Sequence, residues 1–139
     1  MESLKLNADE CIDESIVNTL KTLQYHKSIP LVYVTFSSDK TVYVTDPLSS
    51  KSKDEFKEKI DWVHRKVGSD WIDVLIFECK FSDGKVIPKS STSDGSRAAI
   101  FIPIEKSGMG LSHIIPFSFD GKGFVFEPEK IIDYAPEMI

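Results

Sequence analysis

Histidine is the side chain of this chain that could most readily hold a metal or move a proton. The three histidines, His26, His64 and His113, lie far apart in the sequence. None has an acid or thiol three or four residues away in a recognised metal-binding pattern. A metal or acid–base site would therefore require the fold to bring them together. The sequence predicts no metal site and no cofactor.

Nucleophilic catalysis finds equally little support in the spacing of residues. Cys79 lies within an apolar run, where burial raises the pKa of a thiol and lowers its reactivity. Ser112 does not stand in a complete Gly-x-Ser-x-Gly nucleophile elbow, because Ile114 takes the place of the second glycine. The carboxylates Asp54, Glu55 and Glu58 fall on the solvated side of a predicted helix. We predict no catalytic residue and favour a protein that is not an enzyme, with a small enzyme or small-molecule sensor as one alternative.

Charge and composition exclude further classes of protein. The net charge is −5, and Arg65 and Arg97 are the chain's two arginines, whereas nucleic-acid binders present a basic face. No stretch approaches the roughly 18 apolar residues that a membrane-spanning helix needs. Two cysteines, Cys11 and Cys79, are too few for a disulfide framework. We therefore expect one cytoplasmic domain over residues 1–139 that binds neither nucleic acid nor membrane.

Two helices are predicted from capping residues and apolar spacing. The first covers residues 8–25, with Asn7 as its N-cap, and the second covers roughly 53–67, with Ser52 as its N-cap. Between them, alternating valines predict a β-hairpin whose turn is residues 38–40, so that Ser37 lies opposite Thr41.

The second half of the chain reads as an antiparallel meander. A strand over 71–81 is apolar on both faces at first, and Asp83-Gly84 predicts a two-residue turn after it. A polar connection over 89–97 precedes a strand over 98–104. The predicted fold is α+β, with the order α-β-β-α-β-β-β-β-β and both helices packed on one face of the sheet.

A pair of phenylalanine doublets near the end predicts a hairpin. Pairing Asp120 with Gly123 places Phe119 opposite Phe124, and Phe117 opposite Phe126. All four rings then share one face of the sheet. We predict that they belong to the core, and the alternative is a stacking platform for a ligand or for bases.

The candidate partner-binding surface is the second face of the first hairpin. Tyr33, Thr35, Tyr43 and Thr45 share that face, and exposed tyrosines bury much area at a low entropic cost when a protein binds. The alternative is that a helix or a loop covers them. We predict a non-catalytic protein-binding domain of the adaptor, chaperone or regulatory type, with a homodimer also open. The other alternative is an acidic immunity or inhibitor protein that neutralises a toxin or an enzyme and so has a basic partner.

Overall fold

The structure is a computed structural model, and it describes residues 6–39, 41–89 and 95–134. The first helix, α1, is Ala8–His26, and the second, α2, is Lys53–Val67. Asn7 Oδ1 accepts the N–H groups of the first turn of α1, and Ser52 Oγ accepts that of Glu55 at the start of α2. Both predicted helices and both predicted N-caps are confirmed. Among these residues, no helix is long and apolar enough to cross a membrane.

The described residues also form nine strands in one antiparallel sheet. The strands are β1 (Val32–Ser37), β2 (Val42–Thr45), β3 (Trp71–Ser82), β4 (Lys85–Ile87), β5 (Ser96–Glu105), β6 (Gly108–Met109), β7 (Ser112–Phe119), β8 (Phe124–Phe126) and β9 (Lys130–Ile132). The main order across the sheet is β2-β1-β3-β5-β7-β8, while β4, β6 and β9 add to β3, β5 and β7. The predicted α+β class with an antiparallel sheet is confirmed. The structure also contains two short strands, β6 and β9, that the predicted order does not include.

The turns follow the residues that predict them. The Ser37 N–H donates to the carbonyl of Thr41 across the first hairpin, at 3.1 Å. After β3, Asp83 and Gly84 both have positive φ, 53° and 74°, as a two-residue turn of type I′ requires. The predicted connection 89–97 is described only at its ends, since residues 90–94 lie outside the described part of the chain.

The two helices pack on opposite faces of the sheet, so the prediction that they share one face is not confirmed. Cys11, Ile12 and Leu23 of α1 pack with Val74 and Phe101 on what we call the α1 face. The other face, the α2 face, carries a separate core cluster with the following members: Phe56 and Ile60 of α2, and Tyr33, Leu75, Ile100 and Ile102 of the strands. The physical reason is that β3 and β5 are apolar on both faces, so that one helix on each face is needed to keep them from water.

The phenylalanine hairpin has the predicted register on the α1 face. Phe117 pairs with Phe126, and Phe119 pairs with Phe124. The four rings differ in burial: Phe117 is 1% exposed, whereas Phe119 is 51% exposed. Phe124 and Phe126 are partly buried against the α1-face core. The hairpin is therefore core at its base and exposed at its tip.

Candidate functional site

Strand β2 lies at one end of the sheet, and its backbone is the candidate site. Its inner edge pairs with β1 in the predicted register, Tyr33 with Thr45 and Thr35 with Tyr43. Hydrogen-bonded and non-hydrogen-bonded pairs alternate in an antiparallel ladder. Because Ser37 bonds to Thr41, the N–H and C=O groups of Val42 and Val44 point away from β1. Among the described residues, no strand pairs with that outer edge.

The four residues of the predicted partner-binding surface are not together on the outside. Tyr33 is 4% exposed and Thr35 is fully buried, so the expectation that this face is open is wrong for both. The reason is that α2 packs on it, with the rings of Tyr33 and Phe56 edge to face at 5.5 Å between centroids. Tyr43 and Thr45 are half-buried at the margin of α2. These two residues can still contact a partner.

A buried polar network attaches α2 to the sheet. The hydroxyl of Tyr33 donates to Asp73 Oδ2 at 2.5 Å, and His64 Nε2 lies 2.7 Å from the same oxygen. The ring of His64 stacks on Trp71, with 3.6 Å between centroids. The network therefore joins β1, α2 and β3 through one carboxyl group.

The electrostatics of this network follow from its burial. Asp73 is fully buried, and that burial raises its pKa, although the hydrogen bonds from Tyr33 and His64 act in the opposite direction. Burial, reinforced by Asp73, likewise raises the pKa of Tyr33. Asp73 Oδ1 has no hydrogen-bond partner among the described residues, which makes the buried group more costly.

A histidine oriented by a carboxylate can act as a general base when the side chain of a nucleophile, such as serine or cysteine, is hydrogen-bonded to its ring. Within the described residues, no serine or cysteine side chain is hydrogen-bonded to His64. The contacts of the network join α2 to β1 and β3.

An apolar groove runs along the α1 face beside β2. It encloses about 370 Å³ between α1 and the first hairpin. Val34, Phe36, Val42 and Val44 line its floor, and Glu14 is the charged residue among its lining side chains. The groove exists because α1 packs over β3 and β5 and leaves β2 uncovered, so that Val44 is 66% exposed.

A second depression, which we call the acidic cleft, lies on the α2 face beside β2. It encloses about 480 Å³ between β2 and one side of α2. Its lining residues include the half-buried pair Tyr43 and Thr45, three acids, one lysine and an exposed tryptophan: Asp46, Glu55, Glu58, Lys59 and Trp62. Strand β2 thus separates an apolar groove from an acidic cleft.

The end of the apolar groove is fixed by a buried carboxylate, Glu78. Arg97 binds it with two nitrogens, at 3.0 and 2.9 Å, and the N–H of Ile29 donates to it at 3.2 Å. Lys89 Nζ lies 3.6 Å from its other side. Burial by itself raises the pKa of Glu78, but these hydrogen bonds and charges outweigh burial and lower the pKa below its usual 4.5. Glu78 therefore holds Ile29, which lines the groove.

The lowered pKa of Glu78 predicts a specific loss of stability in acid. A carboxylate whose pKa is lower in the folded state stabilises the fold above its unfolded pKa, and this contribution disappears as the pH falls through the folded pKa. We expect Glu78→Gln to lower the free energy of unfolding by about 1–3 kcal/mol at pH 7, the range for hydrogen bonds to a charged group that is partly screened by solvent.

Urea unfolding of the wild type and Glu78→Gln at a series of pH values between 7 and 3 measures this contribution. The difference between the two proteins should shrink below about pH 4.5, the usual pKa of the group. A difference that stays constant over the whole range would show that the pKa of Glu78 is the same in the folded and the unfolded protein, and so is not lowered by its partners.

The other residues that could do chemistry stay apart. His113 Nδ1 lies 2.7 Å from Glu129 at the surface of β7, and His26 is exposed at the end of α1. Burial raises the pKa of Cys79 to about 12, and the Ser112 hydroxyl donates to the carbonyl of Tyr134. The described residues hold no group of three side chains that could bind a metal ion.

Comparison with known proteins returned no family model, no curated protein and no solved structure that matches this chain. The assignment of function therefore depends on the residues of the site.

Val42 and Val44 are the site residues that the sequence did not single out. Their alternation with Tyr43 predicts a strand with one apolar face, and such a face is ordinarily buried. Their exposure results from the strand order, which leaves β2 at the end of the sheet. The one available signal is that β2 carries no charged residue, whereas edge strands are commonly protected by charges.

Proposed function

We propose that this chain is a non-catalytic protein-binding domain that receives an extended segment of its partner along the outer edge of β2. One observation carries the proposal. Strand β2 ends the sheet without a charged side chain, and an apolar groove lies beside it. Unpaired N–H and C=O groups on such an edge are a template for another strand.

Strand addition would use both the backbone and the side chains of β2. The outward N–H and C=O groups of Val42 and Val44 would form the main-chain hydrogen bonds, which supply affinity without regard to the partner's sequence. The groove lined by Val34 and Phe36 would receive every second side chain of the partner, because side chains alternate between the faces of a strand. The buried Tyr33–Asp73–His64 network would act indirectly, by holding α2 in place beside the edge.

The test begins with peptides selected on the folded protein from a displayed library of random ten-residue sequences. Their affinity is then measured by fluorescence anisotropy for the wild type and Val44→Pro. Because the N–H of Val44 points away from β1, proline removes a donor from the free edge while leaving the ladder to β1 intact. We expect Val44→Pro to weaken binding at least about tenfold, or about 1.4 kcal/mol, with little change in the thermal unfolding midpoint.

Two further variants keep the test independent of any effect of proline on folding. Val44→Lys places a charge beside the groove, and Val125→Lys makes the same change in β8 at the other end of the sheet, where the valine is 50% exposed. Only the first should weaken binding. Peptides that bind Val44→Pro and Val44→Lys as tightly as the wild type would reject the proposal.

An adaptor and an inhibitor of a basic protein would both use such an edge. Three acids lie beside β2, namely Asp46, Glu55 and Glu58. They would attract a basic partner, and this supports the alternative of an inhibitor of a basic protein. The dependence of the association rate on salt separates the two: an inhibitor of this kind should associate much faster at low ionic strength. In either case we place the protein in the cytoplasm, in keeping with the free, buried thiols Cys11 and Cys79.

A further inference from the structure

The two sides of β2 differ in chemistry, and this difference constrains what can bind there. Val42 and Val44 line the apolar groove, and Tyr43 and Thr45 line the acidic cleft, which Val44 also borders from the strand edge. A strand added beside β2 would alternate in the same way, with successive side chains on opposite faces. Its side chains would therefore meet an apolar surface and an acidic surface in turn.

The acidic cleft has carboxylate groups free to bind a cation. Glu58 is exposed and has no hydrogen-bond or ion-pair partner among the described residues. Asp46 Oδ1 accepts the N–H of Leu48, which leaves its charge in place. Both carboxylates could therefore attract a basic side chain of a partner.

Two bases near the cleft are already engaged. Lys59 lies 3.8 Å from Glu55 and hydrogen-bonds to Ser49. Lys66 lies over the ring of Trp62, with its Nζ 4.9 Å from the centroid. With three acids against one lysine among its lining residues, the cleft is negative overall. An unpaired acidic side chain brought here by a partner would meet like charge, whereas lysine or arginine would meet opposite charge.

We propose that the partner segment alternates apolar and basic side chains, with the apolar ones in the groove and the basic ones in the acidic cleft. This inference rests on the proposed strand addition at β2 and adds the chemistry of the partner. Main-chain hydrogen bonds fix the segment as extended, and the two unlike faces of the edge select its pattern.

A second copy of this chain fits the edge less well. Its own β2 carries no basic residue and would offer tyrosine and threonine to the acidic cleft. It would also bring a second chain of net charge −5 to the interface, so that like charges would oppose the contact. The homodimer is therefore an outcome of the test and not the occupant that we propose.

The experiment uses three capped peptides and the intact protein. The first alternates lysine and valine over eight residues, the second alternates glutamate and valine, and the third has the composition of the first with four lysines followed by four valines. Binding is followed by the backbone amide shifts of the ¹⁵N-labelled protein. We expect the alternating basic peptide to bind at least about tenfold more tightly than the other two and to shift the resonances of Val42 and Val44.

A charge reversal in the cleft tests the assignment of the acidic face. Glu58→Lys should weaken the basic peptide at least about fivefold and strengthen the acidic one, since it removes an attraction and adds a repulsion. Asp61→Lys is the matched control, because it makes the same charge change on an exposed residue of the same helix that does not line the cleft. It should change both affinities less than twofold.

The outcomes separate this inference from the function on which it depends. If the acidic peptide shifts Val42 and Val44 as strongly as the basic one, strand addition stands and the charge pattern is wrong. If no peptide shifts the resonances of β2, both are wrong. If sedimentation shows a dimer of the wild type that Val44→Lys dissociates, the occupant of the edge is a second copy and the inference is overturned.

Discussion

Replacement of Phe117 by alanine is expected to lower the free energy of unfolding by about 3–5 kcal/mol, the range for a buried aromatic side chain. Phe117 is 1% exposed and lies in the core between α1 and the sheet. Its ring contacts those of Phe124 and Phe126, at 5.7 and 6.2 Å between centroids, and Arg97 lies over it at 4.9 Å. Alanine would leave a cavity that these neighbours cannot fill without moving.

Phe119 provides the matched control in the same strand and on the same face of the sheet. It is 51% exposed, so that Phe119→Ala should cost less than about 1.5 kcal/mol, because less apolar surface returns to water. Denaturant unfolding of both variants measures the contrast. Equal losses would contradict the assignment of Phe117 to the core and of Phe119 to the exposed tip of the hairpin.

Replacement of Tyr33 by serine is expected to be similarly severe, at about 3–5 kcal/mol. The substitution removes a buried ring that packs on Phe56, and it also removes the hydroxyl that donates to Asp73. Asp73 would then remain buried without the hydrogen bond from the Tyr33 hydroxyl, which adds to the loss. Tyr33→Phe separates the two effects, since it keeps the ring and should cost about 1–3 kcal/mol.

Tyr43 is the control for Tyr33, because the two residues have the same side chain and lie on the same face of one hairpin. Tyr43 is half-buried, and Tyr43→Ser should cost less than about 1.5 kcal/mol. The structure therefore separates the two tyrosines of the predicted partner-binding surface into a core residue and a margin residue. If Tyr33→Ser were as mild as Tyr43→Ser in urea unfolding, α2 would not cover this face in solution.

Much of the fold could be predicted because local signals agree with the tertiary structure. Asn7 and Ser52 cap their helices through bonds to residues two or three positions away, and the positive φ angles of Asp83 and Gly84 come from the turn itself. The pairing of Phe117 with Phe126 follows from alternation about a short turn. Each of these features depends on residues close in sequence, and such features can be inferred from a single chain.

The placement of the helices depends on longer-range information. The sequence showed that β3 is apolar on both faces, but it did not show which helix covers which face. The side of the sheet on which a helix packs is decided by the path of the connections and by the total apolar area to be buried.

The candidate site was harder to predict than the fold for a related reason. Val44 and Val34 have the same residue type and face the same side of the sheet, yet Val34 is buried and Val44 is exposed. The difference is that β1 lies between two strands while β2 lies at the end. Likewise Asp73, His64 and Tyr33 come from three elements, so that their convergence leaves no spacing pattern in the sequence.

Amide hydrogen exchange along β2 tests strand addition most directly. In the free protein, the amides of Val42 and Val44 should exchange quickly, because they point away from β1, while those of Tyr43 and Thr45 should be protected by the ladder. A bound peptide that adds to the edge should slow Val42 and Val44 at least about tenfold and leave the alternate amides protected as before. A peptide that binds without slowing the exchange of Val42 and Val44 would contradict the account.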